Sequence, residues 1–360
     1  MASVKNILQN VFTGASVATS VMLVLVAYSD HLHPEAYPRL ACIGMTFPFF
    51  LLLNLLTLIV WVVFNWRRSW IPLLAYLLAL PAIRVYMPLH FHHEPPPGSL
   101  KVLSYNVASY SIDRKQSPGE KEIFNYVKQQ NADIVCLQED MALKGDSLGD
   151  FTKLYAYNDT AHLGKALKVG FNAMGIHSRY PIVGKEVINY ESRANGSVAF
   201  FVKVGADTII VINNHLETNH LSFVDKKRYA DLISGDMNSQ DAQAETRKLM
   251  GKLTKSMGIR SHQAEAVHDY IERHRRYPMV VCGDFNDTPI SYVRRTIAQG
   301  LTDCFVESGC GLGFSFRAKG FYFRIDHIMC SDHFEPYNCF VDKSIEASDH
   351  YPIMCWLKRK

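Results

Sequence analysis

At 360 residues, with a formal net charge of +4 and 48% hydrophobic residues, the chain has room for one large folded unit and something more. The modest net charge argues against a dedicated nucleic-acid-binding surface, which shows as a strong basic stripe, and does not exclude an enzyme that touches nucleic acid briefly. Eight cysteines without a CxxC or Cys/His spacing exclude a zinc module.

The first ninety residues differ in composition from the rest. No charged residue occurs from Asn6 to Ser29, nor from Leu40 to Phe64, and each stretch reaches the ~20 apolar residues that cross a bilayer. A third run, Trp70 to Ile83, meets Arg84 and extends through Val85, Tyr86 and Met87 towards Leu89. Helices are expected at about 8–29, 40–64 and 70–89, so that residues 1–90 form a membrane anchor and the lipid bilayer is a partner. No small-residue cleavage site precedes Asp30, which argues against a signal peptide. Arg67 and Arg68, between the second and third runs, belong on the cytoplasmic side by the positive-inside rule. Three crossings then place the remainder on the periplasmic or extracellular side. If the third run does not cross, the same rule leaves it in the cytoplasm.

Residues 91–99 read as a stiff, extended linker, because three prolines follow one another at Pro95, Pro96 and Pro97. From residue 100 to 360 strands and helices alternate. Strands are expected at Leu100–Val107, Ile134–Gln138, Ala173–His177, Val198–Val204, Thr208–Leu216, Met279–Cys282, Arg324–Cys330 and Pro352–Leu357. Gly205-Ala206-Asp207 reads as a hairpin turn. Gly119–Gln130 reads as a helix with Ile123, Phe124 and Val127 inward, and Thr218–Tyr277 carries helical periodicity at Leu249, Leu253 and Met257. Hairpins mixed with helices predict an α+β fold, a four-layer sandwich of two packed, mostly antiparallel sheets flanked by helices. Cys136, Cys282, Cys330 and Cys355 lie in strand-like runs as buried thiols; Cys304 and Cys310 look loop-placed enough to pair.

Six short motifs leave polar groups where an apolar run stops. They are SYN with Asn106, LQE with Glu139, NNHLET with His215, GDFN with Asp284 and Asn286, RIDH with Asp326, and SDH with Asp349 and His350. Strand ends meeting at one rim commonly assemble a site. Phosphoester hydrolysis needs a hard cation on oxygen ligands, an activated water and donors for the phosphoryl oxygens. Glu139 and Asp349 suit Mg²⁺, which takes few carboxylates and keeps waters, and Asn106 adds a neutral oxygen. His350 is the natural base, with Asp326 fixing its tautomer. Asp284 and Asn286 orient water and phosphate, and His215 donates to a phosphoryl or leaving oxygen. Each residue alone has an ordinary structural explanation; their joint order is far harder to obtain by accident.

The GDFN and SDH motifs, in this order after an N…QE start, resemble the endonuclease/exonuclease/phosphatase superfamily, the deoxyribonuclease-I-like fold, over roughly residues 100–358. MGIHSRYPI at 174–182 resembles that superfamily's internal strand and turn, with Ser178 and Tyr180 structural. The resemblance implies a metal site of Glu139, Asn106 and Asp349 for Mg²⁺, with Mn²⁺ as an alternative ion. It implies His350 as base paired with Asp326, Asp284 and Asn286 positioning nucleophile and phosphate, and His215 stabilising phosphate or leaving group. His327 departs from the pattern, since relatives often carry an aromatic residue there. Relatives cleave DNA, RNA, inositol phosphates and sphingomyelin, so the substrate is fixed only as a phosphate ester; no obligate protein partner is implied.

A membrane-anchored Mg²⁺-dependent phosphoester hydrolase is therefore expected, acting on a phosphodiester or phosphomonoester near the membrane. The alternatives are a nuclease with the same machinery and a catalytically silent membrane receptor or scaffold. Met141–Gly170, with Lys144, Lys153, Lys165 and Lys168, and Thr218–Arg260, with Lys226, Lys227, Arg228, Lys252 and Lys255, could set specificity or be solvated surface.

Overall fold

The computed structural model describes residues 4–110, 118–140, 151–163, 173–192, 195–219, 223–235, 238–318 and 321–360. The chain begins with a helical bundle: α1 (Val4–Ala27), the short α2 (Pro38–Cys42), α3 (Phe47–Phe64) and α4 (Trp70–Tyr86). Three helical segments, Asn6–His31, Pro38–Phe64 and Trp66–Tyr86, are long and apolar enough to cross a membrane. The third stops short of Leu89, because Pro88 cannot continue the ladder and Leu89 instead pairs with Cys310 in a β-bridge.

The bundle is built inside out. Asn54 is fully buried in α3, takes a hydrogen bond from Ser20 Oγ at 2.9 Å and donates to Thr19 O at 2.9 Å. Trp61 Nε1 donates to the buried Ser16 Oγ at 3.0 Å. Ala75, Ala79 and Ala82 bring α4 close to its neighbours, while Leu52, Leu55, Leu56, Ile59, Val62 and Leu77 point outward and are exposed. Polar groups inside and leucines outside suit a hydrocarbon surround, where unpaired polar atoms are costly and helices meet through small residues.

The rest of the chain is a layered sandwich. In order come β1 (Leu100–Asn106), α5 (Pro118–Gln130), β2 (Ile134–Gln138), β3 (Tyr157–His162), β4 (Ala173–Ser178), β5 (Ile182–Ile188), β6 (Gly196–Val204) and β7 (Asp207–His215). Then follow α6 (Phe223–Ser234), α7 (Ser239–Arg273), β8 (Met279–Asp284), α8 (Tyr292–Ile297), β9 (Thr302–Asp303) and α9 (Cys304–Ser308). The last elements are β10 (Phe316–Ala318), β11 (Phe321–Phe323), β12 (Asp326–Cys330), β13 (Phe334–Val341) and β14 (Ile353–Arg359).

One six-stranded sheet has the order β13-β14-β1-β2-β4-β3 and the other β5-β6-β7-β8-β12-β9, with β10-β11 as a separate ribbon. β1 pairs with β2 in parallel and β7 with β8 in parallel, and the other pairs are antiparallel. Alternation along each strand feeds two cores. Val102, Ile134, Ile176, Phe200, Val211, Val280 and Ile353 fill the space between the sheets. Leu103, Val135 and Met354 face Ile123 and Val127 of α5, while Ile210, Ile212 and Val281 face Ala264, Val267 and Ile271 of α7. The four-layer arrangement expected above is the one found.

Three differences have simple causes. Ile325 N and Asp326 N both donate to Ser315 Oγ, at 3.0 and 3.1 Å, so the expected strand at Arg324 starts only at Asp326. The edge strands β3 and β5 escaped the pattern because they are mostly exposed and lose their alternation, and β13 because Pro336 and a register shift between Tyr337 and Phe340 interrupt it. Cys304 does not pair with Cys310: all eight cysteines are free, Cys304 lies buried in the inter-sheet core with Cys330 and Cys355, and Cys310 is exposed.

The bundle docks directly on the sandwich. Gly44 approaches so closely that a Cβ there would lie 2.3 Å from Ile290 O. Cys42 Sγ lies 3.1 Å from Met257 Sδ of α7. Arg324, fully buried, donates to Tyr86 O at 3.2 Å, to Leu312 O at 2.9 Å and to Val85 O, and its guanidinium lies 4.2 Å above the Phe305 ring. It thereby holds the carbonyl end of α4 two residues before Asp326. The 91–99 linker is extended but does not stand free as a spacer. His93 N donates to Asn338 Oδ1 at 3.0 Å, and Lys358 Nζ donates to Pro97 O at 2.7 Å.

Arg324→Met should therefore lower the stability of the full chain by roughly 3 kcal/mol, since charged hydrogen bonds are lost and buried carbonyls are left without a donor. Denaturant unfolding in detergent micelles measures it. An unchanged midpoint would mean that the bundle is held elsewhere.

Candidate active site

The ends of β1, β2, β7 and β8, the start of β12 and the segment before β14 bring the six motifs to one edge of the sandwich. Asp284 closes β8 and faces His215 of β7 on one side and Asp326 of β12 on the other, by ladder register. Gly283 permits this approach: its φ is +126°, and a Cβ would sit 2.0 Å from Asn214 O. Beyond Asp284 the backbone turns through Asn286 at φ 52°, and Glu139, just past β2, has φ 53°. Left-handed conformations at residues other than glycine cost about 1 kcal/mol or more and persist where the surroundings impose them.

Asp284 is the hub. It is 1% exposed and accepts from Asn106 Nδ2 at 3.0 Å, Asn286 Nδ2 at 3.2 Å and Asn286 N at 2.8 Å. His350 Nε2 lies 3.6 Å and His215 Nε2 3.7 Å from Asp284 Oδ2. On its other side His350 Nδ1 lies 2.9 Å from Asp326 Oδ2, which fixes the ring. Ser348 of the SDH motif anchors this loop, donating to Asn106 O at 2.7 Å and accepting from His350 N at 3.1 Å.

Electrostatics couples these groups. Burial alone would lower the proton affinity of His350, but the carboxylates of Asp326 and Asp284 outweigh it and raise its pKa to about 10. Burial raises Asp284 above the usual carboxylate range, against the opposing pull of His350. Asp284, Asp326 and His350 place ligand atoms within 4.8 Å of one another, a set that could hold a metal by spacing. All three are buried, with Asp284 and His350 lining the cleft and Asp326 bound to His350 Nδ1 behind it.

Glu139 is different, with a side chain 32% exposed, facing the cleft 3.8 Å from His215 Nε2. Asp349, half-buried, lines the same cleft. Two accessible carboxylates without a thiolate suit a hard divalent cation. Asn106 is turned the other way: its Oδ1 accepts from Ala108 N at 3.0 Å, and its amide NH₂ points at Glu139 Oε1 at 3.4 Å. As an oxygen ligand it would have to turn its amide over. All eight residues singled out by motif therefore lie about one cleft of about 260 Å³, with Asp326 behind His350.

Three features were not anticipated. Gln138 Nε2 donates to Asn213 Oδ1 at 2.7 Å, and Asn213 Nδ2 to Leu137 O and Gly175 O, tying the two sheets beneath the site. Both residues stand in the quoted LQE and NNHLET strings, where an amide beside each catalytic candidate was the available signal. Arg260 of α7 is 2% exposed and reaches the cleft, donating to Asp287 Oδ2 at 3.2 Å, Glu217 O at 2.9 Å and Asn219 Oδ1 at 2.8 Å. Met45, from the turn before α3, lines the cleft as well. By contrast, Lys248 and Lys252 pair with Asp225 and Arg228 with Glu245, within the α6–α7 pair. Those cations read as helix surface. Lys144, Lys165 and Lys168 lie outside the described residues, as does the side chain of Lys226. His327 is fully buried, 4.9 Å from the Phe285 ring, and burial lowers its pKa to about 4, so it packs as a neutral ring where an aromatic was expected.

Residues 103–350 match the family described as the Endonuclease/Exonuclease/phosphatase family, and residues 9–86 match a domain of unknown function. No curated protein matches the chain. Among solved structures, an endonuclease/exonuclease/phosphatase from Beutenbergia cavernae is similar at 19% identity and a TM-score of 0.52, over 72% of each chain. The human Nocturnin catalytic domain with bound sulfate is similar at 14% identity and a TM-score of 0.52, over 73% of this chain and 95% of that one. Truncated TDP2 from Caenorhabditis elegans is similar at 15% identity and a TM-score of 0.50, over 73% of this chain and 99% of that one. These likenesses establish the fold.

Proposed function

Because the chain belongs to the endonuclease/exonuclease/phosphatase family, whose members are phosphoester hydrolases and typically depend on a divalent metal, we propose that it is a membrane-anchored, Mg²⁺-dependent phosphoester hydrolase. The observation that carries this reading is the convergence of Asp284, His350, Asp326, His215, Asn286, Glu139 and Asp349 on one cleft. Three crossings by α1, α3 and α4 would put Arg67 and Arg68 in the cytoplasm and the sandwich outside it.

Glu139 and Asp349, with Asn106 after an amide flip, would hold Mg²⁺, whose charge would stabilise the phosphoryl oxygens and weaken the grip of His350 on its proton. A water oxygen attacks phosphorus in line with the ester oxygen. One P–O bond forms as the other breaks. The water proton passes to the His350–Asp284 pair, and Asp326 stabilises the imidazolium. His215 and Asn286 bind phosphoryl oxygens or the departing oxygen; that oxygen takes a proton from solvent as His350 returns the proton it took from water, which restores the pair.

A nuclease is less well supported, since Arg260 is the one Lys or Arg among the described lining residues and is already engaged by Asp287. The test is hydrolysis of bis-p-nitrophenyl phosphate by the full chain in detergent, with Mg²⁺ or with chelator. Turnover that needs Mg²⁺ and vanishes in His350→Ala supports the reading; turnover that survives in His350→Ala sinks it. Glu139→Gln should raise the Mg²⁺ concentration for half-maximal rate by at least about tenfold, measured by metal titration. An unchanged requirement would remove Glu139 from the metal site.

A further inference from the structure

The cleft has two unlike halves. Glu139, His215, Asp284, Asn286, Asp349 and His350 make one polar side. The other is apolar and comes from three separate places: Met45 from the turn entering α3, Leu253 and Met257 from α7, and Phe316, Phe323 and Ile325 from the β10–β11 ribbon and its exit. Nothing in phosphoryl transfer itself needs that second wall. A charged or sugar-like ester group gains nothing from it, whereas an alkyl chain is stabilised by each methylene it buries. One part of the wall belongs to the helical bundle. Met45 stands two residues before α3, whose first turns expose Phe49 and Leu52 at 61% each.

Resting on the hydrolase reading above, we infer that this wall is a binding subsite for an apolar ester group, so that the substrate is an amphiphilic phosphoester with its phosphate at His215 and Asn286 and its chain against Met45 and Leu253. The helical bundle is then part of the active site as well as its tether, since Met45 belongs to it. Gly44 and Cys42, packed on Ile290 and Met257, hold Met45 in place. The aromatic ribbon, with Tyr322 56% exposed, borders the same side. A chain lying along this wall leaves the cleft at the start of α3, where a bilayer would begin.

The test uses the full chain in phosphatidylcholine nanodiscs with Mg²⁺. Binding of octyl phosphate and of methyl phosphate is measured by equilibrium dialysis, with binding to empty discs subtracted. The subsite predicts octyl phosphate bound about thirtyfold more tightly, since partial burial of seven extra methylenes suffices for that factor. In Met45→Asn and in Leu253→Asn the ratio between the two ligands should fall towards one. Equal binding of the two phosphates by the natural chain, or a ratio unmoved in both variants, overturns the subsite. Octyl preference without turnover of octyl p-nitrophenyl phosphate would leave the subsite standing and sink the hydrolase reading. Faster turnover of the disc-held hexadecyl ester than of the octyl ester in solution identifies the bilayer as the source; the reverse identifies a soluble amphiphile.

Discussion

Asp284→Asn is expected to lower kcat by about three orders of magnitude while leaving the fold intact. The carboxylate accepts from both Asn106 and Asn286 and stands within 4 Å of His350 and His215, so most polar contacts of the site pass through it. An amide has nearly the same shape, but it turns one acceptor into a donor facing Asn106 Nδ2. It also removes the negative charge that helps His350 take a proton. Stability should suffer little, because burial already makes that charge costly, as the raised pKa of Asp284 records. Steady-state kinetics beside a thermal unfolding curve would separate the two effects. A rate within tenfold of the natural chain would remove Asp284 from the chemistry.

Gly283→Ala should act through the fold. At φ +126° an alanine is strained, and its Cβ would stand 2.0 Å from Asn214 O and 2.7 Å from Asn214 N, which are backbone atoms of the neighbouring strand. Asn214 and Gly283 are ladder partners, directly before His215 and Asp284. The two strands would have to part where they carry His215 and Asp284, at a cost of more than about 3 kcal/mol. Gly205→Ala is the control: its φ is +64° with open space around it, so it should cost only about 1 kcal/mol. Denaturant unfolding of both variants checks the contrast. Equal midpoints would show that the β7–β8 contact tolerates a side chain.

The sequence was most legible where chemistry and secondary structure coincide. GDFN ends β8, while RIDH opens β12 and SDH precedes β14, and each is recognisable because a polar group borders an apolar run. Central strands such as β1, β7 and β8 are buried on both faces and announce themselves. The edge strands β3, β5 and β13 do not, and β10 and β11 are three residues each. Least legible was the contact between bundle and sandwich. Arg324 meets Val85 and Tyr86 across more than two hundred residues, and Met45 reaches the cleft from a turn. Each of these residues is ordinary in its own neighbourhood; only the fold gives it a partner. The same is true of Arg260, one cation among many along α6 and α7 until the helix turns it inward.

The most direct test of the central claim is the fate of the attacking oxygen. The full chain in nanodiscs, with Mg²⁺ and a p-nitrophenyl phosphodiester, would be run in water enriched in oxygen-18 beside His350→Ala. The account predicts one labelled oxygen per turnover on the phosphate-bearing product, none on p-nitrophenol, and no label above background in the variant. Label on the phenol, or turnover without incorporation into the phosphate, would contradict attack of water on phosphorus at this site.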